Sequence, residues 1–373
     1  MKEFKPRSIG GKRINPRILP FRYMNLKNIK IGYVPYNNTL ASPGDRRRFC
    51  YYARERKIDY EIATSGKKYD IVILSQAADL SYWCKYKKNN TKIVFDFIDS
   101  YLAVQKNDIK GILRGAGKYL TGQNKYLRFS YKSVLEEMCQ NSCAVICSTE
   151  EQKKDIEKFN KNVHIILDIQ AGDIQKVKED YSIEKDINIV WEGLPYNIAS
   201  FQEVSGVLNE LKKKYKISLH LVTDLRFNQY LGKFGKKYSI DIIEKIFQPS
   251  FLYAWNEHTC STIITSCDLA IIPLSLKDSF ACGKPENKLL LFWRMGMPTI
   301  VSATPAYKRA MGKCGLDMVC STSQEWTDTL EKYINDKSLR ELAGKAGHRI
   351  AMDEYGVASI LAKWDRMFES ILD

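Results

Sequence analysis

The chain has 373 residues, 45% of them hydrophobic, and a formal net charge of +15. A chain of this length is too long for a domain with a single hydrophobic core, which favours two globular domains. The charge indicates an anionic partner (nucleic acid, an anionic membrane surface or a phosphorylated substrate), although solvated lysines alone would also produce it. Without zinc-finger spacing or an RNA-binding aromatic signature, no nucleic-acid partner is expected. With no run of about 18 apolar residues and a charged start, neither a transmembrane helix nor a signal peptide is expected.

The ten cysteines lack Cys-x-x-Cys pairs. Cys139, Cys143 and Cys147 are four residues apart, a spacing that would place them on one helix face as zinc ligands. Residues 144–147, however, have the apolar pattern of a strand, so we expect buried free thiols. Reduced cysteines favour a cytoplasmic protein.

Residues 1–25 are basic and contain three prolines, which predicts a flexible or loosely docked arm. Residues 26–170 then have the pattern of a parallel α/β domain of the Rossmann-like type. Segments of helix length separate most of the predicted strands, as in a doubly wound sheet. The predicted strands are 29–34, 60–63, 69–74, 92–97, 144–147 and 163–167.

Within this domain, residues 108–132 carry six cations and no acid after Asp108. Such a basic amphipathic segment can lie on an anionic membrane surface. A surface helix packed by its apolar face explains the pattern equally well. The cations are Lys110, Arg114, Lys118, Lys125, Arg128 and Lys132.

Residues 171–186 are polar and are predicted to be an interdomain linker. From residue 187 the strand-and-helix pattern starts again, and a second α/β domain is expected over 187–350. Residues 351–373 contain apolar side chains at helical spacing, which predicts an amphipathic helix that must dock elsewhere on the molecule.

The most informative stretch is 267–301, an apolar run, a Gly/Pro/Lys loop, a short helix and a second apolar run. We expect Pro285 in the first turn of this helix, where its missing N–H costs nothing, and Gly296 at its end. The loop thus brings free helix N–H groups and two lysines to the carboxyl end of a parallel strand. Anionic ligands bind there in open α/β sheets, and a diphosphate fits. The alternative is an ordinary βαβ unit with solvated lysines.

A second basic loop follows the first predicted strand. Asp45 is followed by Arg46, Arg47 and Arg48 at the start of a predicted helix. Three arginines at the edge of a predicted cleft favour contact with phosphate groups, of the donor or of a lipid-diphosphate acceptor. The alternative is a helix cap formed by Asp45, with solvated arginines.

Four segments resemble those of known enzymes. Residues 288–300, KLLLFWRMGMPTI, resemble the donor-site helix of glycosyltransferase family 4-like enzymes. IVFDFIDSYL at 93–102, CAVICSTEEQKKDI at 143–156 and IVWEGLPYN at 189–197 resemble further strands of bacterial relatives. The resemblance extends over about residues 29–372.

This resemblance implies the GT-B architecture: two doubly wound Rossmann-like domains facing a central cleft, with a C-terminal helix that crosses back to the N-terminal domain. Residues 26–170 become the acceptor-side domain and 187–350 the nucleotide-sugar donor domain. The implied activity is transfer of a sugar from a nucleotide-sugar donor to a glycan or lipid-linked acceptor in bacterial surface polysaccharide synthesis.

Candidate site residues follow from this resemblance and from their positions at strand ends. Asp99 and Asp45 are candidates for the base that activates the acceptor hydroxyl. Arg46, Arg47 and Arg48 are assigned to the acceptor or phosphate loop. The donor-binding candidates are Gly193, Tyr196, Asp278, Ser279, Gly283, Lys284, Glu286, Asn287 and Lys288.

Because no Asp-x-Asp motif is present, cations and helix N–H groups are expected to stabilise the leaving diphosphate. The pair Asp96 and Asp99 is too small a set for a metal site. We therefore expect no metal and no cofactor beyond the nucleotide-sugar co-substrate.

The chain departs from the family pattern at two positions. Leu291 stands where a glutamate usually holds the nucleotide ribose, and residues 192–196, EGLPY, replace the usual Arg/Lys pair. These departures favour an alternative, a catalytically silent GT-B protein that binds a partner transferase or a polysaccharide. A charge-driven nucleic-acid binder is the weaker alternative. The expected location is the cytoplasm, with peripheral contact at the inner face of the cell membrane.

Overall fold

The computed structural model describes residues 28–86, 90–103, 125–126, 130–229 and 234–372. The predicted arm 1–25 and most of the basic segment 108–132 lie outside these residues. Along the described chain, no helix is both long and apolar enough to span a bilayer.

The first half of the chain forms a parallel sheet with helices on both faces, which explains why its central strands are apolar on both sides. Its strands are β1 (Ile31–Val34), β2 (Glu61–Ile62), β3 (Ile71–Ser75), β4 (Lys92–Asp96), β5 (Ala144–Cys147) and β6 (Val163–Ile165). Its helices are α1 (Pro43–Arg46), α2 (Phe49–Arg56), α3 (Leu80–Trp83), α4 (Tyr131–Asn141) and α5 (Glu150–Ile156). The order across the sheet is β2-β1-β3-β4-β5-β6.

The second half forms another parallel sheet and a separate hairpin. The strands are β7 (Asp186–Glu192), β8 (Lys216–Thr223), β9 (Arg226–Gln229), β10 (Phe234–Tyr238), β11 (Ser250–Ala254), β12 (Leu269–Ile272), β13 (Thr299–Ser302) and β14 (Val319–Cys320). The order across the sheet is β11-β8-β7-β12-β13-β14, while β9 and β10 pair only with each other, antiparallel. Two doubly wound sheets confirm the predicted α/β class, but the hairpin was not predicted.

Nine α-helices flank the second sheet or follow it in the described chain. They are α6 (Ser205–Leu211), α7 (Ser239–Ile243), α8 (Cys260–Thr265), α9 (Ser279–Cys282), α10 (Asn287–Arg294), α11 (Pro305–Cys314), α12 (Ser323–Asn335), α13 (Lys337–Asp353) and α14 (Val357–Leu372).

Helix α10 belongs to the stretch that the sequence singles out. It begins at Asn287 with Glu286 as its N-cap, so Pro285 precedes the helix instead of lying in its first turn. Gly296 ends it at φ 70°, a left-handed conformation that favours glycine, as predicted. The Tyr181 hydroxyl donates to the Gly296 carbonyl at 2.9 Å and ties this end to the preceding chain.

The last helix, α14, crosses back to the first domain, as predicted. The rings of Trp364 and Phe368 each stack on Tyr52 at a centroid distance of 5.4 Å. Arg56 on α2 donates two hydrogen bonds to the carboxylate of Asp365, at 3.0 and 2.7 Å. The apolar face of α14 therefore completes the core on one side of the first sheet.

The cysteines are free thiols in the described residues. Cys139 and Cys147 are buried as predicted, whereas Cys143, which directly precedes strand β5, is exposed, so the prediction of a buried thiol is wrong for it.

Candidate functional site

A cavity of about 450 Å³ opens between the two domains at the carboxyl ends of their strands. Open parallel sheets bind their ligands at this edge. The first domain and the segment after β6 contribute Ala41, Pro43, Arg46, Arg47, Asp168 and Gln170 to its lining. The second domain contributes Glu192, Gly193, Leu194, Asn197, Asp224, Trp255, Asn287, Lys288 and Leu291.

Lys288 in the first turn of α10 is the central cation of this cavity. Its amine lies 4.3 Å from the centre of the Trp191 ring, and among the described residues no carboxylate is within ion-pair distance. Burial lowers the pKa of this amine to about 8, although the Glu192 carboxylate raises it in part. A side chain at Gly193 would collide with the Lys288 amine and the Trp191 ring, so glycine keeps this space open.

Two of the three predicted loop arginines also line the cavity. Arg46 and Arg47 reach it from the start of the first domain. The guanidinium of Arg46 lies 4.9 Å from the centre of the Trp255 ring, on the opposite domain. A cation above an aromatic face is attracted to it, so this contact joins the two walls of the cavity.

Arg48 does not face the cavity, and its predicted role in the phosphate loop is wrong. Its side chain is fully buried and donates two hydrogen bonds to Asp96, at 2.7 and 2.6 Å. It also bonds Asp168 at 2.9 Å. Although burial alone would lower the pKa of Arg48, these carboxylates raise it above its usual value. The arginine is therefore a structural cation beneath the site.

Asp45 is buried as well, so the prediction that it faces the cleft as a base is wrong. Its carboxylate accepts hydrogen bonds from the Tyr33 hydroxyl at 2.7 Å and from the backbone N–H groups of Tyr36 and Asn37 at 2.8 and 3.1 Å. Ser42, not Asp45, is the N-cap of α1. The side chain of Asp45 holds the loop that follows β1.

Asp99 lies at the end of the β4 segment and is half-buried. The Gln76 side-chain amide makes two hydrogen bonds with Asp99. Gln76 Nε2 donates to Asp99 Oδ2 at 3.0 Å, and the Asp99 backbone N–H donates to Gln76 Oε1 at 2.8 Å. Burial raises the pKa of Asp99, while the Gln76 hydrogen bond and the Lys284 charge lower it. The sequence did not single out Gln76, although it directly follows strand β3.

Lys284, in the loop between α9 and α10 of the second domain, lies near enough to Asp99 for the two charges to interact. Its amine donates to Asn197 Oδ1 at 2.9 Å. Burial lowers its pKa, and the carboxylates of Asp99 and Asp278 raise it. Asn197 also lines the cavity, so Lys284 is bonded to the cavity wall and its charge acts on Asp99.

The loop around α9 joins the domains beside this lysine. Ser100 Oγ donates to the Gly283 carbonyl at 2.7 Å, and Ser279 Oγ donates to the Ala103 carbonyl at 3.4 Å. Asp278 accepts from the Phe280 backbone N–H at 2.9 Å and so caps α9. These predicted donor residues are interdomain and capping contacts and do not line the cavity.

Glu286 and Tyr196 also lie outside the cavity lining, unlike Asn287 and Gly193. Glu286 is buried on another side of α10, where burial raises its pKa and the charges of Arg309 and Lys313 lower it. Tyr196 is 64% exposed. Neither position matches the predicted contact with a donor sugar or nucleotide in this cavity.

The two departures from the family pattern both reach the cavity. Leu291 and Glu192 line it, so an apolar group and a carboxylate occupy the expected ribose and phosphate positions. Asp224 and Trp255 also line it, directly after β8 and β11. The rule that ligands bind at carboxyl strand ends could have identified both.

No group of three or more His, Cys, Asp or Glu side chains is arranged to hold a metal ion in the part of the chain that the structure describes. Asp96 is instead bonded to Arg48.

No family model and no curated protein matches this sequence. Solved structures nevertheless share its shape. A glycosyltransferase from Rickettsia africae superposes with a TM-score of 0.57 over 93% of this chain and 99% of its own, at 11% identity. Anabaena HepE, solved with UDP and glucose, gives a TM-score of 0.57 over 92% and 100%, at 9% identity. The chain has the GT-B fold.

TarM is a third similar structure, with a TM-score of 0.55 and 15% identity over 80% of this chain. The match covers 54% of TarM, so this chain spans about half the length of that protein. A Staphylococcus aureus TarM variant was solved with fondaparinux, α-GlcNAc-glycerol and UDP. At these identities the likeness shows the fold alone.

Proposed function

We propose that this protein transfers a sugar from a nucleotide-sugar donor to a hydroxyl group of an acceptor. The observation that carries the proposal is Lys288, a cation without a carboxylate partner among the described residues, at the start of α10 in a cavity at carboxyl strand ends. UDP and a sugar in the HepE structure, and UDP in the TarM variant, support a donor of this class.

In this proposal, Lys288 and the free N–H groups of the first turn of α10 bind the donor diphosphate. Both stabilise the negative charge that develops on the leaving group as the glycosidic bond breaks. The cations Arg46 and Arg47 approach from the other wall and supply further positive charge. This arrangement needs no metal ion.

Asp99 is the proposed base that accepts the proton of the acceptor hydroxyl. Gln76 fixes its carboxylate, and the charge of Lys284, whose amine donates to Asn197 of the cavity wall, acts on it. Because burial already raises the pKa of Asp99, its carboxylate is a better proton acceptor than an exposed aspartate.

We further propose that the acceptor is a glycan or a lipid-linked glycan of a bacterial surface polysaccharide, in the cytoplasm at the inner face of the membrane. This part depends on the sequence resemblance and on the net charge of +15.

A second candidate is a GT-B protein that binds a partner or a polysaccharide without catalysis. Leu291 and Glu192 favour it, because neither can replace a ribose-binding glutamate or a phosphate-binding cation in the same position.

Thermal melting with UDP, GDP, CDP, ADP and TDP separates the two candidates. A ligand at about 100 times its Kd stabilises the folded protein by about 2.7 kcal/mol. For a transferase, one nucleotide should raise the melting midpoint, Lys288→Met should abolish the rise, and the exposed Lys185→Met should preserve it. No rise with any nucleotide, also by calorimetry at high ligand concentration, would favour the binding protein.

A further inference from the structure

Two carboxylates line the cavity that contains Lys288. Glu192 is half-buried at the end of β7, and Asp224 is exposed directly after β8. In the part of the chain that the structure describes, neither side chain makes a hydrogen bond or an ion pair. An ionised carboxylate accepts hydrogen bonds and donates none. The cavity is therefore suited to a ligand that carries hydrogen-bond donors as well as negative charge.

The strand order places these groups in a row along the edge of the second sheet. β12, which precedes α10, is followed across the sheet by β7, β8 and β11. Glu192 pairs with Val222 of β8. The backbone N–H of Trp255, directly after β11, donates to the carbonyl of Thr223, the last residue of β8, at 3.1 Å. Because neighbouring strands are about 4.8 Å apart, the cavity presents the Lys288 amine, two carboxylates and an indole ring in succession.

A nucleoside diphosphate carries complementary groups in the same order. Its diphosphate is anionic, its ribose hydroxyls donate hydrogen bonds, and its base combines an aromatic face with N–H groups. With the diphosphate at Lys288, the ribose lies beside Glu192 and the base lies at Asp224 and Trp255. The cavity of about 450 Å³ is within the range of about 300–1,000 Å³ that is usual for small-molecule sites. The inference drawn from this match rests on the proposed nucleotide-sugar donor.

The edge of the base that meets Asp224 decides which base fits. Guanine presents two adjacent donors, N1–H and the N2 amino group, which match the two oxygens of one carboxylate. Uracil and thymine present one N–H between two carbonyl oxygens, and those oxygens repel a carboxylate. Adenine and cytosine present an amino group beside an unprotonated ring nitrogen, whose lone pair also repels it.

The opposite wall supplies a group for another edge of guanine. The guanidinium of Arg46 lies 4.9 Å from the centre of the Trp255 ring, so it reaches the same end of the cavity. Arginine is the side chain that most often recognises the O6 and N7 acceptors of guanine. We propose that the donor nucleotide carries guanine and that Asp224 is the residue that selects it.

Calorimetric titration with GDP, inosine diphosphate (IDP) and UDP tests this selection. IDP differs from GDP only by the missing N2 amino group, so the comparison isolates one of the two hydrogen bonds to Asp224. GDP should bind about 10-fold or more tightly than IDP and UDP, since a bidentate contact to a base discriminates by a factor of this order.

Asp224→Asn should change the selected base. The variant replaces one carboxylate oxygen with an N–H donor, and xanthosine diphosphate (XDP) has a carbonyl where GDP has the N2 amino group. The variant should therefore lose the preference for GDP over IDP and bind XDP more tightly than the unmodified protein does. The matched control is Asp241→Asn, which makes the same change at an exposed acid outside the cavity lining and should keep the preference for GDP.

The outcomes separate this inference from the proposed function. If IDP or UDP binds as tightly as GDP, or if Asp224→Asn keeps the preference for GDP, the inference is wrong, while nucleotide binding still supports a transferase. If no nucleoside diphosphate binds, the proposed function fails and the inference fails with it. Because Asp224 is exposed, Asp224→Asn should have an unchanged melting midpoint without ligand, which excludes misfolding as the cause of altered binding.

Discussion

The amine of Lys288 lies 4.3 Å from the centre of the Trp191 ring, at the end of the strand that opens the second domain. A ring face attracts a cation but does not neutralise it. The cavity therefore holds a positive charge that has no carboxylate within ion-pair distance in the described part of the chain. Such a charge costs stability in the empty protein and is available to an anionic ligand.

Lys288→Met should therefore stabilise the unliganded protein and abolish nucleotide binding. Because burial lowers the pKa of Lys288 to about 8, the protonated amine disfavours the folded state at neutral pH. We expect a gain of about 0.5–2 kcal/mol in the free energy of unfolding, measured by denaturant titration at neutral pH. The gain should shrink as pH rises from about 8 towards the unfolded pKa of about 10.4, where the amine is neutral in the folded state. A destabilised variant would show that the lysine supports the fold.

Nucleoside diphosphate binding should weaken as pH rises through about 8. The free protein loses the proton of Lys288 in that range, and a neutral amine no longer attracts phosphate. Calorimetry in two buffers of different ionisation enthalpy should detect proton uptake on binding near pH 8. Lys288→Arg keeps its charge there, so any binding that remains should show no proton uptake. Equal proton uptake in both proteins would assign the pH effect to another group.

Much of the fold follows from local sequence patterns. Short apolar runs identify most strands of both sheets, Gly296 identifies the end of α10, and helical spacing identifies α14. The β9–β10 hairpin lacks such a signal, because its short strands, RFNQ and FGKKY, contain neither an apolar run nor a regular alternation of apolar and polar residues. It was also unexpected in a pattern of alternating strands and helices.

The candidate site is harder to predict, because side-chain direction depends on partners distant in sequence. Asp45, Arg48 and Asp99 all follow strands, yet only Asp99 remains half-exposed. The side chain of Arg48 points inward because its guanidinium donates hydrogen bonds to the carboxylates of Asp96 and Asp168, which are 48 and 120 residues away in sequence. No local pattern contains that pairing.

Asp99→Asn should lower the rate of the proposed transfer by about 10²–10⁴-fold and leave nucleotide affinity unchanged. Asp99 does not line the cavity in which Lys288 lies, so donor binding should not depend on it. The rate would be measured as release or transfer of the sugar from a nucleotide-sugar donor that carries the nucleotide found to bind. A variant with full activity would remove Asp99 as the base.

Gln76→Leu tests whether the glutamine sets the pKa of Asp99. Its hydrogen bond lowers that pKa, so without it the pKa should rise further. The acid side of the pH–rate profile should then move to higher pH. The control Gln324→Leu, on the exposed face of α12, should leave the profile unchanged. A lower rate with an unshifted profile would indicate a purely structural role for Gln76.

Arg48→Met should unfold or strongly destabilise the protein, whereas Arg47→Met should mainly weaken nucleotide binding. Removing Arg48 leaves the buried carboxylate of Asp96 without its cation, which typically costs about 3–5 kcal/mol. Arg47 lines the cavity, so its charge acts on the ligand. Urea denaturation and nucleotide titration of both variants separate the effects. Adding Asp96→Leu to Arg48→Met should recover part of the lost stability, because the second change removes the carboxylate that the first leaves unpaired. No recovery would mean that Arg48 stabilises the fold mainly through Asp168 and the Ile166 carbonyl.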